Sequence, residues 1–207
     1  MLYSAAMQQD LLAVEQSLPQ YLPAEGQLWD TVSRAMAYAC EAGGKRLRPV
    51  LVLAFCRLCG GTREAALPFA CAMEMIHSYS LVHDDLPCMD NSPLRRGKPS
   101  VHAAFGEDMA LLAGDALLGR AFETMLNPAH TGDVPPAAAM AAAFTLAEAA
   151  GIEGMVGGQT IDLESEGREI DLPVLEALQE GKTAALLAAS CRMGAQLAGA
   201  TAALTDA

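Results

Sequence analysis

Aromatic residues are scarce in this chain of 207 residues: Phe, Trp and Tyr make up 5% of it, although 52% of its residues are hydrophobic. Its apolar content is therefore mostly Ala, Leu, Met and Val, which favours helix over sheet. Basic residues are scarce too. Lys and Arg number 13 against 25 Asp and Glu, and the net charge of −12 argues against nucleic acid or an anionic membrane surface as partner. No apolar run of about eighteen residues has the strength of a membrane span, and the Ala-rich stretch 136–147 is too short and too weakly apolar, so membrane insertion is not expected. Met1 to Pro19 is amphipathic and contains Asp10 and Glu15, so it does not read as a signal peptide. Zinc spacing is missing as well, because Cys56 and Cys59 are followed by no second pair. With Cys40, Cys71, Cys88 and Cys191 they are expected to be small buried hydrophobes in a reducing cytoplasm. There is no convincing strand and no internal repeat.

What remains is helix. Leu2 to Ser17, Trp29 to Cys40, Leu47 to Cys59 and Glu64 to His83 carry helical patterns, the last long, apolar and central. Pro19 and Pro23 end the first of these, and Pro49 is tolerated in the first turn of the third. Residues 91–100 form a loop. Further helices are expected over Val101 to Leu126, Ala137 to Leu163 and Leu175 to Leu197, with a clear loop from Asn127 to Pro136. The pattern predicts one all-α bundle of long helices.

Charge is concentrated at the end of the central helix, in His77-Ser-Tyr-Ser-Leu-Val-His-Asp84-Asp85-Leu-Pro-Cys-Met-Asp90-Asn-Ser-Pro-Leu-Arg95-Arg96-Gly97. Three carboxylates within seven residues repel one another unless a cation sits among them. Pro87 ends the helix between Asp84 and Asp90, so the chain can curl and aim both at one ion. Oxygen donors of this kind suit Mg²⁺, which completes its shell with water and phosphate oxygens. The alternative is a solvated acidic loop. Adjacent arginines point in different directions, so Arg95 and Arg96 suit two anions rather than one. His77 lies about 10 Å below Asp84 near the same helical face. That alignment leaves ligand contact and core packing equally open for His77, whereas His83 lies off the face and reads as structural.

Lys45 and Arg48 are three apart on one helical face after Gly43-Gly44, which frees backbone for close approach to a ligand. Gln159 and Asp162 share a face of a glycine-bearing helix, and Lys182-Thr183 follows Gly181. Gly181-Lys182-Thr183 is no Walker loop, since the upstream glycines and strand are missing.

Taken together, Gly44-Lys45-Arg46-Leu47-Arg48-Pro49, Asp84 to Gly97, Gly157-Gly158-Gln159-Thr-Ile-Asp162-Leu163 and Lys182-Thr183 closely resemble the short-chain trans-prenyl diphosphate synthases, especially the bacterial farnesyl diphosphate synthases. The resemblance runs over the whole chain. It implies the isoprenoid (terpenoid) synthase fold, a cytoplasmic homodimer, and head-to-tail condensation of isopentenyl diphosphate with an allylic diphosphate through an allylic carbocation. It assigns isopentenyl diphosphate to Lys45, Arg48, His77 and Arg96. It assigns the allylic diphosphate to Mg²⁺ (or Mn²⁺) held by Asp84 and Asp90, and to Arg95, Lys182 and Thr183. Asp85 would support the metal site, while Gln159 and Asp162 would line the allylic end. Product length is implied to follow bulk just below Asp84, at Tyr79 and Ser80. Tyr79 stands about 7.5 Å down the helix, which favours a C15 farnesyl over a C20 geranylgeranyl product. The pattern departs at the end. After Lys182 the one acidic residue is Asp206, where the family carries a second aspartate-rich motif, so residues 1–207 are expected to be a single polyprenyl synthase domain that is C-terminally incomplete. A non-catalytic prenyltransferase-like subunit and a plain helical scaffold are the remaining alternatives.

Overall fold

A computed structural model describes residues 4–131 and 133–205. Helices account for nearly all of its regular structure: α1 (Ala5–Tyr21), α2 (Asp30–Cys40), α3 (Leu47–Leu58), α4 (Arg63–Asp84), α5 (Val101–Phe105), α6 (Glu107–Thr131), α7 (Pro136–Ala150), α8 (Met155–Ser165), α9 (Leu172–Gln179), α10 (Ala185–Leu197) and α11 (Ala202–Thr205). One turn of π-helix, Glu180–Ala184, separates α9 from α10. The expectation of an all-α chain is met, with one small correction. Residues 91–100 contain an antiparallel ribbon, β1 (Leu94–Arg95) with β2 (Lys98–Pro99), pairing Leu94 with Pro99 and Arg95 with Lys98.

Several helix boundaries differ from those the sequence predicts. Pro19 lies in the last turn of α1, which runs two residues further to Tyr21 before its C-cap at Leu22; Leu2 lies outside the described residues, as does Asp206. The stretch expected as one helix from Val101 to Leu126 breaks at Gly106, whose φ of 96° ends α5, and resumes as α6. α6 then passes through Asn127 and Pro128 to Thr131, so half of the expected 127–136 loop is helical. The expected helix Ala137–Leu163 is two helices, because Gly151 caps α7 in an extended conformation and α8 starts only after Gly154. Residues 136–165 are long and apolar enough to cross a membrane by length and composition alone, which the sequence reading had denied; their break into α7 and α8 and the burial of one α7 side explain that apolar character within a folded core.

The chain divides into two compact units. The first comprises the chain up to Val50 and Leu67–Asn127. Its core is built on Val14, Met36, Phe69, Met73, Ile76, Leu117 and Met125, all buried. α1 begins at Ser4, whose side chain accepts a hydrogen bond from the Met7 amide at 3.4 Å, as an N-cap does.

The second unit comprises Leu51–Ala66 and the chain from Pro128 onward. There α7 packs on α10, Leu146, Leu186 and Met193 are buried, and Gln196 Nε2 donates to Thr145 Oγ1 at 3.0 Å. All six cysteines are free; Cys40, Cys56 and Cys71 are buried as expected, but Cys88 is exposed because it follows Pro87 in the turn beyond α4.

Candidate functional site: a carboxylate turn and an arginine cluster

Beyond Asp84 the chain folds back on itself within the first unit. The Asp90 amide donates to the Asp84 carbonyl at 2.9 Å, the Asn91 amide to Leu86 at 3.1 Å, and the Ser92 amide to Asp85 at 3.2 Å. The helix-ending proline thus produces the expected curl. It leaves Asp85 buried, Asp84 half-buried and Asp90 exposed. Arg95, on β1, clamps Asp85 with both edges of its guanidinium: Nε donates to Oδ2 at 3.0 Å and Nη2 to Oδ1. That hydrogen-bonded pair raises the pKa of Arg95 against the effect of burial, and the charges of Asp85, Asp84 and Asp90 act in the same direction.

The ribbon turns the next arginine elsewhere. Arg96 and Gly97 are its two central residues, with φ of 54° and 79°; type I′ hairpin turns require positive φ at both. A left-handed arginine costs about 1–2 kcal/mol. What holds it is the fit of its guanidinium against Gly44. A Cβ at Gly44, which has φ 132°, would stand 2.3 Å from Arg96 Nη1, so only glycine satisfies both the backbone and the contact. Tyr38 supports the ribbon by donating from its hydroxyl to the Pro99 carbonyl at 2.8 Å.

Around this contact lies a cluster of guanidinium groups. Arg48 Nη1 is 3.5 Å from His77 Nε2, and Arg48 Nε is buried with no hydrogen-bond partner among the described residues. Burial, then the positive charges of Arg48, Arg96, Arg46 and Arg95, push the His77 pKa down to about 3. Arg48 and Arg96 are both lowered, first by burial. His77 is therefore neutral among cations, of which Arg95 is paired with Asp85 and Arg46 with Glu74. Lys45 and Arg48 do not share a helical face as predicted. Gly43, Gly44 and Arg46 have φ of 75°, 132° and 47°, so the helix starts only at Leu47 and Lys45 projects from the loop before it.

The sequence reading overlooked the pair beneath this cluster. Arg46 Nη1 lies 2.5 Å from Glu74 Oε1, and its Nη2 donates to the Cys40 carbonyl at 2.6 Å; both side chains are buried. Burial raises the Glu74 pKa against the pull of Arg46. One signal was available: Glu74 is the only Asp, Glu, Lys or Arg between Ala65 and Val82, and a lone carboxylate in an apolar helix demands a partner.

Near the end of α4, Tyr79 is 8% exposed and stacks edge-to-face on His83, with ring centroids 5.7 Å apart. Burial, with the charge of Asp84, raises its hydroxyl pKa. His83 in turn lies 3.0 Å from the Leu111 carbonyl, in keeping with a structural histidine. Ser80 Oγ donates to the His77 carbonyl at 2.9 Å.

Gln159, Asp162, Lys182 and Thr183 all belong to the second unit. The π-turn widens the backbone after α9, and Lys182 Nζ lies 2.5 Å from Asp162 Oδ2 on α8. α8 and the π-turn touch through glycine: a Cβ on Gly158 would meet the Lys182 backbone nitrogen at 2.1 Å. Gln159 Nε2 is buried without a partner among the described residues, and Thr183 is exposed. Single π-turns inserted between helices occur often at functional positions, and nothing in the local sequence announces this one.

Known proteins are similar to this chain in sequence and fold. Over 171 residues the chain is 52% identical to "Heterodimeric geranylgeranyl pyrophosphate synthase large subunit 1, chloroplastic" of Arabidopsis thaliana, covering 81% of this chain and 46% of the relative. It is 48% identical over 191 residues to a farnesyl diphosphate synthase of Geobacillus stearothermophilus, covering 92% of this chain and 63% of the relative. The chain thus spans from about half to under two thirds of the length of these relatives. A crystal structure of an FPP/GFPP synthase from Zymomonas mobilis superposes with a TM-score of 0.89 at 43% identity, covering 97% of this chain and 72% of that one, and gives this chain its all-α isoprenoid-synthase fold. The polyprenyl synthetase family profile matches residues 30–207. The chain belongs to the polyprenyl synthetase family.

Proposed function

We propose that this chain is the substrate-handling part of a prenyltransferase that condenses isopentenyl diphosphate with an allylic diphosphate. The observation that carries the reading is Arg48 Nη1 standing 3.5 Å from His77 Nε2 with the Arg96 guanidinium against Gly44 nearby, a concentration of positive charge that a diphosphate would match. Isopentenyl diphosphate would take Arg48, Arg96, His77 Nε2 and Lys45, leaving its apolar tail to the core.

Among the described residues no group of three or more His, Cys, Asp or Glu could hold a metal ion. The curl joins the Asp90 backbone to that of Asp84, and two such carboxylates with water and diphosphate oxygens would suit Mg²⁺, with Mn²⁺ as a hard-donor substitute. The donors therefore fit a metal that arrives with its diphosphate. When bound, that ion neutralises charge on the leaving diphosphate.

The chain's own residues would do the rest. Asp85 holds Arg95 in place, so a cation is fixed before charge develops as the allylic C–O bond breaks. The double bond of isopentenyl diphosphate then attacks the carbocation, and the proton lost from the new C–C adduct passes to the released diphosphate. Gln159, Asp162, Lys182 and Thr183 keep their allylic roles within this proposal. An aromatic-poor core shelters the cation from water.

The names of the relatives favour a C20 product, geranylgeranyl diphosphate. Tyr79 supports the second reading, C15, because its ring is buried one to two helical turns below Asp84. Incubation with Mg²⁺, radiolabelled isopentenyl diphosphate and geranyl diphosphate, followed by chain-length analysis, tests both. Label extracted as C20 or C15 prenyl diphosphate is expected. A folded chain that incorporates no label contradicts the proposal.

A further inference from the structure

We propose that Glu74 is a positioning residue for the isopentenyl diphosphate subsite, acting through Arg46 on the loop 43–46. The inference rests on reading the Arg48–His77–Arg96 cluster as a diphosphate site. Glu74 sits on α4 three residues before His77, so the two share a helical face. Its carboxylate accepts from Arg46 Nη1 at 2.5 Å, while Arg46 Nη2 reaches the Cys40 carbonyl, the last residue of α2, at 2.6 Å. One guanidinium thereby ties α4 to the end of α2 across the loop. That loop has positive φ at Gly43 and Gly44, which glycine adopts freely, and at Arg46, where a left-handed non-glycine residue persists only if its surroundings enforce it. Its product is the Gly44 surface, whose missing Cβ is the space Arg96 occupies, and the projecting Lys45.

Glu74 also divides the labour among the arginines. Arg46 has its charge matched within the fold, at 7% exposure, and cannot turn to a ligand. Arg48 and Arg96 have no such ion pair among the described residues and keep their charge for an incoming anion. Simple electrostatics predicts the reverse effect on binding: a carboxylate beside an anion site weakens it, so removing Glu74 should tighten binding. Positioning predicts that removal loosens it.

Calorimetric titration of isopentenyl diphosphate and, separately, geranyl diphosphate into the chain and its Glu74→Gln variant decides between them. The expected result is about tenfold weaker isopentenyl diphosphate binding, with geranyl diphosphate changed by less than about twofold. Tighter isopentenyl diphosphate binding, no change, or an equal loss for both ligands overturns the proposal. The Glu74→Leu, Arg46→Met double variant leaves no unpaired buried charge and carries the same expectation should Glu74→Gln lose its helical circular dichroism. Arg48→Ala separates the two levels of the argument. If it weakens isopentenyl diphosphate binding and Glu74→Gln does not, positioning fails and the diphosphate site stands. If it changes nothing, the diphosphate site itself is wrong and the proposal falls with it.

Discussion

His77 should stay neutral throughout the pH range in which the ligand-free chain is folded. Its pKa is held at about 3 against an ordinary 6.5, by burial first and then by four arginines. At 1.36 kcal/mol per unit, that displacement amounts to on the order of 5 kcal/mol. The sign follows from proton counting. Between pH 6.5 and 3 the unfolded chain binds a proton at this site that the folded chain refuses, so stability is fully present above 6.5 and falls as pH drops toward 3. A diphosphate among the same arginines would reverse their effect and raise the His77 pKa. Ligand binding should therefore bring the His77 pKa up from its ligand-free value. NMR titration of the four histidines, with His77→Gln to assign the signal, measures the free value directly. A His77 resonance titrating near 6.5 in the ligand-free chain would refute both the burial argument and the charge cluster built on it.

Two further changes probe other parts of the chain. Gly158→Ala puts a Cβ 2.1 Å from the Lys182 backbone nitrogen, a clash with main chain that no rotamer relieves. It should lower stability by roughly 1–3 kcal/mol, seen as a fall in Tm, and an unchanged Tm would mean that α8 and the π-turn are not so closely packed. Tyr79→Ala removes a ring buried below Asp84 and should shift the product distribution toward longer prenyl chains; an unaltered distribution argues that Tyr79 does not limit length.

Much of this arrangement was legible in the sequence, and the rest was hidden for identifiable reasons. The ends of α4 were readable because its apolar run stops at a proline-bearing carboxylate cluster. The curl joining Asp90 to Asp84 followed from Pro87. Local pattern misplaced Lys45, since positive φ at Gly43, Gly44 and Arg46 keeps the loop before α3 out of helix. The division of Arg95 from Arg96 followed from their adjacency, but their destinations, Asp85 and Gly44, depend on a ribbon only two residues long in each strand. Gly151 and Gly154 end and restart helices inside the stretch expected as one, a break that composition alone does not announce. The π-turn has no periodicity of its own, so its position shows only in the backbone, where Gly158 and Gly181 meet.

The central claim is that the first unit carries a diphosphate site at Arg48, His77 and Arg96. A crystal structure of the chain soaked with isopentenyl diphosphate tests it most directly. The account predicts diphosphate oxygens within hydrogen-bond distance of both guanidinium groups and of His77 Nε2, with Arg46 still paired to Glu74. Diphosphate bound away from these residues, or bound to an Arg46 released from Glu74, would contradict it.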